Sequence, residues 1–309
     1  MLPEGYTVRR ATIDDLNAVV ALRQEQELAD WGTTYTTAND LRTQWERTHL
    51  NVDTWIVADA AGQVVAHAQI HTPDTATPQL YGVVRRDHQR HGIGRYLLAL
   101  AEARAKAATR SLAPGTTKAL YVTIAGRDQA ALRILEKSGF ELRSTFHVME
   151  CTLEAEPPAL SPIANIDIRE FVVGTDDDPV YEADEEAFLD EYGKEPRTFV
   201  QWARRLNMYE GFDASLWFVA WEGDQVAGAA LNEVENGKGR IHHLGVRRPW
   251  RRRGLGMALL QHTMRAFYQR GIHTLILNVH SQSLTHANRL YERAGFKTVQ
   301  EYHHYRKPL

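Results

Sequence analysis

Alternating apolar and polar residues predict strands in the early part of each half of the chain. The pattern occurs in TWIVAD (54–59) and QVVAHAQI (63–70), and it returns in LWFVAW (216–221) and QVAGAAL (225–231). A period of two places every second side chain on the same face of a sheet, which is typical of strands. Each half is therefore expected to contain a β-sheet of similar design.

Apolar residues at helical spacing predict one long helix in the middle of each half. An apolar stripe that follows the spacing i, i+4, i+7 is the core-facing side of an amphipathic helix. Both stripes are therefore interpreted as packing surfaces. The first comprises Ile93, Leu97, Leu100 and Ala101, and the second comprises Leu260, Met264 and Phe267.

The remaining periodicities complete a fold of class α+β, in which each half is a mixed, mainly antiparallel sheet flanked by helices. Each half is also expected to have a second helix late in its sequence and a terminal strand. Earlier helices are predicted in residues 13–24 and 180–192, and further strands in residues 79–84, 120–124, 241–246 and 274–279.

The two halves repeat each other in sequence. Gly92 and Gly254 lie in similar segments at an offset of 162 residues, and ILEKSGF (134–140) resembles LYERAGF (290–296) at an offset of 156. Matches in the same order indicate a tandem duplication of a whole domain. Three prolines in residues 153–165 favour a linker there. The predicted domains are residues 1–153 and 166–309, joined by a linker at residues 154–165.

Composition excludes several classes of protein. The chain has 309 residues, which suits two domains, and its net charge of −3 argues against a globally basic nucleic-acid binder. A single cysteine, Cys151, excludes an internal disulfide framework, and its place in a predicted strand favours a small buried side chain. No long apolar run or signal-peptide core is present, so a cytoplasmic protein without a membrane partner is expected.

The segment RRRGLGM (251–257) carries the strongest chemical signal in the sequence. It lies between a predicted strand and the second long helix, and its two glycines permit a tight turn that exposes backbone N–H groups. N–H groups at a helix N-terminus bind phosphate, and the three arginines add positive charge. The same pattern of glycines recurs in the first half, which raises the motif above a chance match.

At this motif the chain resembles the GNAT acyl-CoA N-acetyltransferases. Their signature, Gln/Arg-x-x-Gly-x-Gly/Ala at the start of a long helix, is met twice. A second family feature, a late helix ending in Leu-Tyr-x-x-x-Gly-Phe, is met once in full. The matching residues are Gln89, Gly92 and Gly94 in the first half, and Arg251, Gly254, Gly256, Leu290, Tyr291, Gly295 and Phe296 in the second.

The resemblance implies that the second half binds acetyl-CoA and releases CoA. A gap beside the strand that ends at Val246 would admit pantetheine, which would pair with the backbone of Leu244 and Val246. The pyrophosphate would then lie on the amides of residues 252–257. The predicted cofactor-binding residues are Leu244, Gly245, Val246, Arg251, Arg252, Arg253, Gly254, Leu255, Gly256, Met257 and Ser283, with Val84, Gln89, Gly92 and Gly94 in the first half.

The resemblance also implies the catalytic residues. A tyrosine of the late helix commonly protonates the departing thiolate in this family, and Tyr291 has that position. His242 is the favoured base, because enzymes similar to arylalkylamine acetyltransferases have a histidine four residues before the valine. Strand alternation places His242 on the face of Leu244 and turns His243 away. Glu233 and His243 remain alternatives for the base.

The first half departs from the family pattern at two chemical positions. Leu135 stands where the second half has Tyr291, and Arg127 stands where it has Ser283; the family often has an asparagine at the latter position. The first half is therefore expected to be degenerate, although it could still hold CoA. No spacing typical of a metal site is present, so no metal is predicted. Four acids, Glu185, Glu186, Asp190 and Glu191, are interpreted as a solvated helix face or as a site for a cationic amine.

The sequence therefore predicts an acetyl-CoA-dependent N-acetyltransferase that acts on a primary amine of a small molecule. The acetyl group would move by direct attack in a ternary complex, and the active site would lie in the second half. The alternatives are a CoA-binding pseudoenzyme or sensor and a protein N-acetyltransferase. A monomer or homodimer is expected, with no nucleic acid partner.

Overall fold

The computed structural model describes residues 1–72, 76–158, 162–189, 196–208, 213–283 and 286–309. They divide into two compact units of similar topology. Unit 1 comprises residues 1–145 and 300–309, and unit 2 comprises residues 146–299. Each unit contains one sheet with helices packed against it, so the predicted class α+β is confirmed.

The strands pair mainly antiparallel, with one parallel pair in each unit. In unit 1 the sheet order is β1-β2-β3-β4-β5-β12, and in unit 2 it is β7-β8-β9-β10-β11-β6. The parallel pairs are β4 with β5 and β10 with β11. The strands are β1 (Thr7–Arg9), β2 (Thr54–Ala58), β3 (Val64–His71), β4 (Gln79–Val84), β5 (Ala119–Ala125), β6 (Glu141–Thr152), β7 (Asp167–Glu170), β8 (Phe218–Glu222), β9 (Gln225–Glu235), β10 (Lys238–Val246), β11 (Thr274–His280) and β12 (Lys297–Pro308).

The α-helices connect these strands. The predicted apolar stripes of the two long helices are buried, except for Leu100, which is half-buried. Leu98, which lies outside the predicted stripe, is buried in the core instead. Within the described ranges, no helix combines the length and the apolar character that a membrane span requires. The helices are α1 (Leu16–Trp31), α2 (Ala38–Glu46), α3 (Leu50–Asp53), α4 (Ile93–Ala108), α5 (Gln129–Lys137), α6 (Asp177–Ala187), α7 (Phe199–Met208), α8 (Leu255–Gln269) and α9 (Ala287–Arg293).

The boundaries of the compact units differ from the domain boundaries predicted at residues 153 and 166. Residues 146–152 of β6 pair with β11 and belong to unit 2, whereas residues 302–308 of β12 pair with β5 and belong to unit 1. Both strands are long enough to pass from one unit into the next. Sequence repetition marks the duplicated segments, but it carries no information about which copy of the last strand completes which sheet.

Each parallel pair is joined over only part of its length. Strands β10 and β11 are in register from Gly239–Leu275 to Ile241–Leu277, and the described ladder between them ends there. Residues 243–246 remain paired with β9 on the other side. A gap therefore opens beside the last residues of β10, as the family resemblance implies.

Candidate active site

The gap beside β10 is the mouth of a cleft of about 710 Å³ in unit 2. This volume lies in the range of small-molecule and cofactor sites. The cleft brings together residues from the end of β10, the glycine loop, the end of β11 and α9. The predicted site residues that line it are His242, Leu244, Gly245, Val246, Arg251, Arg252, Gly254, Leu255, Gly256, Met257, Ser283 and Tyr291.

The two glycines of the loop have different structural roles. Gly254 caps α8 with a φ of 82°, a left-handed conformation that most other residues adopt only with strain. A Cβ atom on Gly256 would lie 3.5 Å from Leu290 Cδ2 and 3.8 Å from Val246 Cγ2, so this position packs closely against α9 and β10. The first N–H groups of α8 have no partner within the helix and face the loop, which makes this terminus suited to an anion.

The three arginines of the loop do not act alike. Arg251 donates from Nε to Val246 O and from Nη2 to Ala187 O, both at 3.0 Å, and so holds the loop against the strand. Arg253 pairs with Glu222 at 2.8 Å, and hydrogen bonds from Arg253 and Trp250 lower the pKa of that carboxyl. Only Arg252 combines an exposed side chain with a place in the cleft lining, so it is the arginine best placed for a phosphate.

His242 sits at an irregularity of β10. The register with β9 shifts between Ile241, opposite Asn232, and His243, opposite Leu231, so His242 is the extra residue of a β-bulge. Bulges re-aim side chains and are frequent near active sites. His242 lines the cleft, whereas His243 turns to α6, where its Nδ1 lies 2.9 Å from Asp184. The predicted separation of the two histidines is confirmed, although simple alternation does not extend through the bulge.

Glu233 is the partner of His242. One oxygen of this carboxylate contacts His242 Nε2, and both side chains are largely buried. When the carboxylate is ionised it can only accept, so Nε2 of a neutral ring carries the proton and Nδ1 keeps a lone pair. The two residues that sequence reasoning weighed as alternatives therefore form one histidine–carboxylate pair. Such a pair can take up a proton on the ring while the carboxylate stabilises the resulting charge.

Tyr291 lies on α9 and is buried, with 7% of its surface exposed. Its ring packs edge-to-face on Phe296, and the residue lines the cleft. Asn288, which sequence reasoning missed, ties α9 to the end of β11 by donating to His280 O at 3.1 Å and to Ser281 O at 3.0 Å. Ser283, two residues further on, lines the cleft. A side-chain amide one turn before the tyrosine is too common a feature to have identified this role.

The acidic side chains near α6 are engaged in ion pairs. Glu185 pairs with Arg197 at 2.7 Å, and Glu186 pairs with Arg247 at 2.6 Å. Asp190 and Glu191 lie outside the described residues. Neither described acid therefore offers the uncompensated charge that a site for a cationic amine needs. Among the residues that the structure describes, no group of three or more His, Cys, Asp or Glu side chains could hold a metal ion.

Unit 1 keeps the loop of the repeated motif. Gly92 caps α4 with a φ of 91°, and Gln89 donates to Val84 O at 3.2 Å, as Arg251 does to Val246 O. A Cβ on Gly94 would lie 3.1 Å from Ile134 Cδ1, so the second glycine again permits close packing. The first residue of the motif therefore anchors the loop in both units.

The cleft of unit 1 lacks four of the polar residues that line the cleft of unit 2. It measures about 140 Å³, below the usual range of cofactor sites, and Val84, Gln89 and Gly94 line it. At the repeat offsets, four polar residues of the unit 2 cleft become aliphatic. His242, Asn278, His280 and Tyr291 correspond to Leu80, Val122, Ile124 and Leu135, which all line the smaller cleft.

Both halves match acetyltransferase family profiles. A profile described as an acetyltransferase (GNAT) domain matches residues 181–306, and one described as the acetyltransferase (GNAT) family matches residues 16–140. A mycothiol acetyltransferase from Stackebrandtia nassauensis is 29% identical over 248 residues, which is 78% of this chain and 78% of that protein. The chain is thus similar to a named enzyme over most of its length.

Solved structures share the tandem fold. A GCN5-related N-acetyltransferase from Sphaerobacter thermophilus has 31% identity and a TM-score of 0.87, with 100% of this chain and 97% of that chain covered. A tandem GNAT protein from the clavulanic acid biosynthesis pathway shares the fold at 15% identity and a TM-score of 0.70, with 98% of each chain covered. With two domain matches and these relatives, the chain belongs to the GCN5-related N-acetyltransferase (GNAT) family and is an N-acetyltransferase built from two GNAT domains.

Proposed function

We propose that unit 2 transfers the acetyl group of acetyl-CoA to a primary amine of a small molecule. The observation that carries the proposal is that the glycine loop, Tyr291 and His242 line one cleft, and that Glu233 contacts His242. Acetyl transfer from a thioester to an amine requires a proton acceptor for the amine and a proton donor for the thiolate. The cleft of unit 2 supplies a candidate for each.

The residues of the cleft fit acetyl-CoA as the acetyl donor. The backbone of β10 from residue 243 to residue 246 is paired only with β9 in the described ladder, which leaves its other edge open to the pantetheine amides. The N-terminus of α8 and Arg252 supply N–H groups and positive charge for the pyrophosphate. Acetyl-CoA supplies the activated acyl group, and unit 2 supplies its orientation.

His242 and Tyr291 would move the two protons of the reaction. As the amine nitrogen forms its bond to the acetyl carbon, its proton passes to His242, and Glu233 stabilises the imidazolium. The C–S bond breaks with its electron pair on sulfur, and Tyr291 donates its hydroxyl proton to the thiolate. Solvent then restores both side chains. The aliphatic residues at the matching positions of unit 1 can do neither step, so we assign turnover to unit 2 alone.

A small-molecule acceptor is supported by the similarity to a mycothiol acetyltransferase over most of the chain. The test is CoA release from acetyl-CoA with a panel of amines: amino acids, amino sugars, aminoglycosides, polyamines and the unacetylated precursor of mycothiol. We expect one class to raise CoA release above the rate without acceptor. Acetylation of histone-like peptides in place of every small amine would contradict the proposal, and so would binding of CoA without any acceptor-dependent turnover.

Substitution of Gly254 tests the assignment of the phosphate site. Gly254→Asp should raise the KM for acetyl-CoA at least about tenfold, because a carboxylate at the start of α8 repels the pyrophosphate. Gly254→Asn is the matched control, since asparagine has the same shape without charge and tolerates a positive φ. It should raise KM much less. Gly92→Asp should affect KM less than Gly254→Asp, and equal losses in both units would show that the units are assigned wrongly.

A further inference from the structure

Unit 1 buries a group of polar side chains between α1, α2 and β3 that the acetyl-transfer site does not use. The group comprises Arg23, Gln44, Trp45, His67 and Gln69, which we name the Arg23 cluster. Gln69 and His67 are 0% and 1% exposed, and Trp45 is 3% exposed. Buried polar groups normally have hydrogen-bond partners, so a buried group that lacks one requires an explanation.

Gln69 is oriented by two donors on the same oxygen. Its Oε1 accepts from Arg23 Nη2 at 3.0 Å and from Trp45 Nε1 at 3.1 Å. These two bonds fix which end of the amide is oxygen, so Nε2 is a donor that points the other way. Within the described part of the chain, this buried Nε2 has no partner. A buried donor without an acceptor destabilises the fold.

His67 adds a second hydrogen-bond donor without an acceptor. Its ring packs against Trp45 with 5.9 Å between centroids, and both ring nitrogens lack a partner among the described residues. Burial and the nearby charge of Arg23 hold the pKa of His67 well below its usual value, so the ring is neutral and carries one N–H. The cluster thus contains two N–H donors without an acceptor, one on Gln69 and one on His67, and a second His67 ring nitrogen without a donor.

Arg23 brings a positive charge to the cluster. Within the described residues, no carboxylate accepts a hydrogen bond from its guanidinium. Its guanidinium donates to two amide oxygens, on Gln69 and on Gln44 at 3.2 Å. Burial lowers the pKa of Arg23, and the nearby charge of Glu27 opposes that effect. The Glu27 carboxylate, however, accepts hydrogen bonds from the α1–α2 connection, including the amide of Thr36 at 2.9 Å. The cluster therefore combines a cation with spare donors.

Unit 2 shows that the fold does not require this polarity. At the offset of 162 residues on the matching strand, His67 and Gln69 become Ala229 and Leu231, which pack into an aromatic core. At the offset of 161 that relates the first helices, Arg23 becomes Asp184, whose carboxylate binds His243 and Arg197. The fold therefore accepts apolar residues at these two strand positions, so the architecture alone does not require the polar pair His67 and Gln69.

We infer that the Arg23 cluster is a binding site for the carboxylate or phosphate group of a small molecule. An anion can accept hydrogen bonds from Arg23 and from the unpartnered donors of Gln69 and His67, whereas a cation would meet the like charge of Arg23. Arg23 is half-buried, and Tyr81, opposite Gln69 in the ladder, is 42% exposed. The anion would therefore enter beside Arg23 and Tyr81. This site lies in unit 1 and does not rest on the proposed acetyl transfer.

Thermal unfolding of the full chain tests the site. Sodium acetate and inorganic phosphate are titrated separately, with sodium chloride added to keep the ionic strength constant. We expect at least one of the two to raise the Tm of the wild type saturably by about 2 °C or more. Acetate alone would identify a carboxylate ligand, and phosphate alone a phosphate ligand. Arg23→Gln should abolish the shift, while Arg42→Gln, at an exposed position of α2, should keep it.

A second variant covers the case in which Arg23→Gln does not fold. The double change His67→Ala with Gln69→Leu installs the residues of unit 2 and removes two donors without touching the charge. It should fold and reduce the anion-dependent shift at least about threefold. The inference is overturned if the wild type shows no saturable shift with either anion, which would mean that water alone fills the cluster. An equal shift in the wild type and in the variants would also overturn it, since the effect would then be non-specific.

Discussion

Tyr291 and Leu135 occupy the same position of the repeat, and only Tyr291 carries a hydroxyl. Tyr291 and Leu135 are both buried on the late helix of their unit, and both line the cleft beside it. The side chain at this position therefore packs in both units, and only the side chain of unit 2 can also donate a proton. Substitution of Tyr291 by phenylalanine removes this donor and leaves the ring in place.

Tyr291→Phe should lower kcat at least about tenfold, because a positioned acid contributes about 10²–10⁴-fold and a free thiol has a pKa of only about 8.5. The KM for acetyl-CoA and the Tm should change little, since the ring still packs on Phe296. Tyr268→Phe, on α8 of the same unit, is the control and should retain wild-type kcat. Wild-type rates of acetyl transfer in single-turnover measurements on Tyr291→Phe would contradict the acid role.

Glu233→Gln tests whether the carboxylate serves His242. The amide keeps the shape of the side chain but cannot stabilise an imidazolium as a carboxylate does, so we expect kcat to fall about tenfold or more. Glu235→Gln is the matched control, because it also breaks a carboxylate pair on β9, with Arg240, outside the cleft. Steady-state kinetics should show a lower kcat for Glu233→Gln and a wild-type kcat for Glu235→Gln. Equal kcat values for the two variants would contradict a role of Glu233 in proton transfer.

Sequence reasoning found the residues whose positions depend on local geometry or on the family pattern. The glycine that caps α8 follows from its neighbours along the chain, and the place of Tyr291 on a late helix follows from the family resemblance. The His242–Glu233 contact does not, because it depends on a one-residue bulge in the register of β10 with β9. The anchoring role of Arg251 depends likewise on the carbonyl of Ala187, which lies 64 positions earlier. Both contacts are long-range consequences of strand and helix placement.

At the scale of elements, the two units repeat one junction in detail. Arg9 pairs with Asp15 at 2.6 Å where β1 leads towards α1, and Arg169 pairs with Asp176 at 2.6 Å where β7 leads towards α6. Each aspartate also accepts from a backbone N–H of the connection, at 2.8 Å in both units. The junction thus ties the first strand of each sheet to the helix that covers it.

Asp15→Asn should lower the Tm at pH 7 by about 4 °C, because the nearly buried carboxylate loses an ion pair. Hydrogen bonding by Arg9 lowers the pKa of Asp15 in the folded protein, against the opposing effect of burial. The stabilisation is therefore present above the unfolded pKa near 4 and disappears as the pH falls through the folded value. The difference in Tm from wild type should shrink accordingly below about pH 4. Asp14→Asn, at the exposed neighbouring position, should leave the Tm unchanged at both pH values.

Strands and long helices were predictable from periodicity, but α2 and α7 were not. Each of these short helices buries one large aromatic side chain, Trp45 in α2 and Trp202 in α7. Polar residues occupy most of the remaining positions of α2, so its apolar signal is confined to Leu41 and Trp45. Tertiary contacts with α1 and the sheet stabilise such a helix more than its own pattern indicates.

At the scale of the molecule, neither half of the sequence contains all the strands of one unit. The strand that covers β5 is formed by the last residues of the chain, and residues 146–152 complete the sheet of unit 2. A fragment that ends at residue 153 leaves β5 as an edge with unpaired backbone groups, which promotes aggregation.

Separate expression of residues 1–153 and 154–309 should yield insoluble or non-cooperatively unfolding fragments, because each lacks a strand of its sheet. Co-expression of the two fragments should yield a soluble complex that co-purifies through a tag on one fragment. Size-exclusion chromatography and thermal unfolding distinguish these outcomes. A monomeric fragment 1–153 with a sharp unfolding transition would contradict the division into units.

The placement of the last strand also sets the order in which a newly made chain can fold. Between residue 153 and residue 309 the ribosome adds 156 residues, which takes roughly 15 s at about 10 residues per second. During that interval the nascent unit 1 has an open β5 edge. A chain that stops before residue 300 lacks the strand that pairs with β5, and an open strand edge of this kind promotes aggregation.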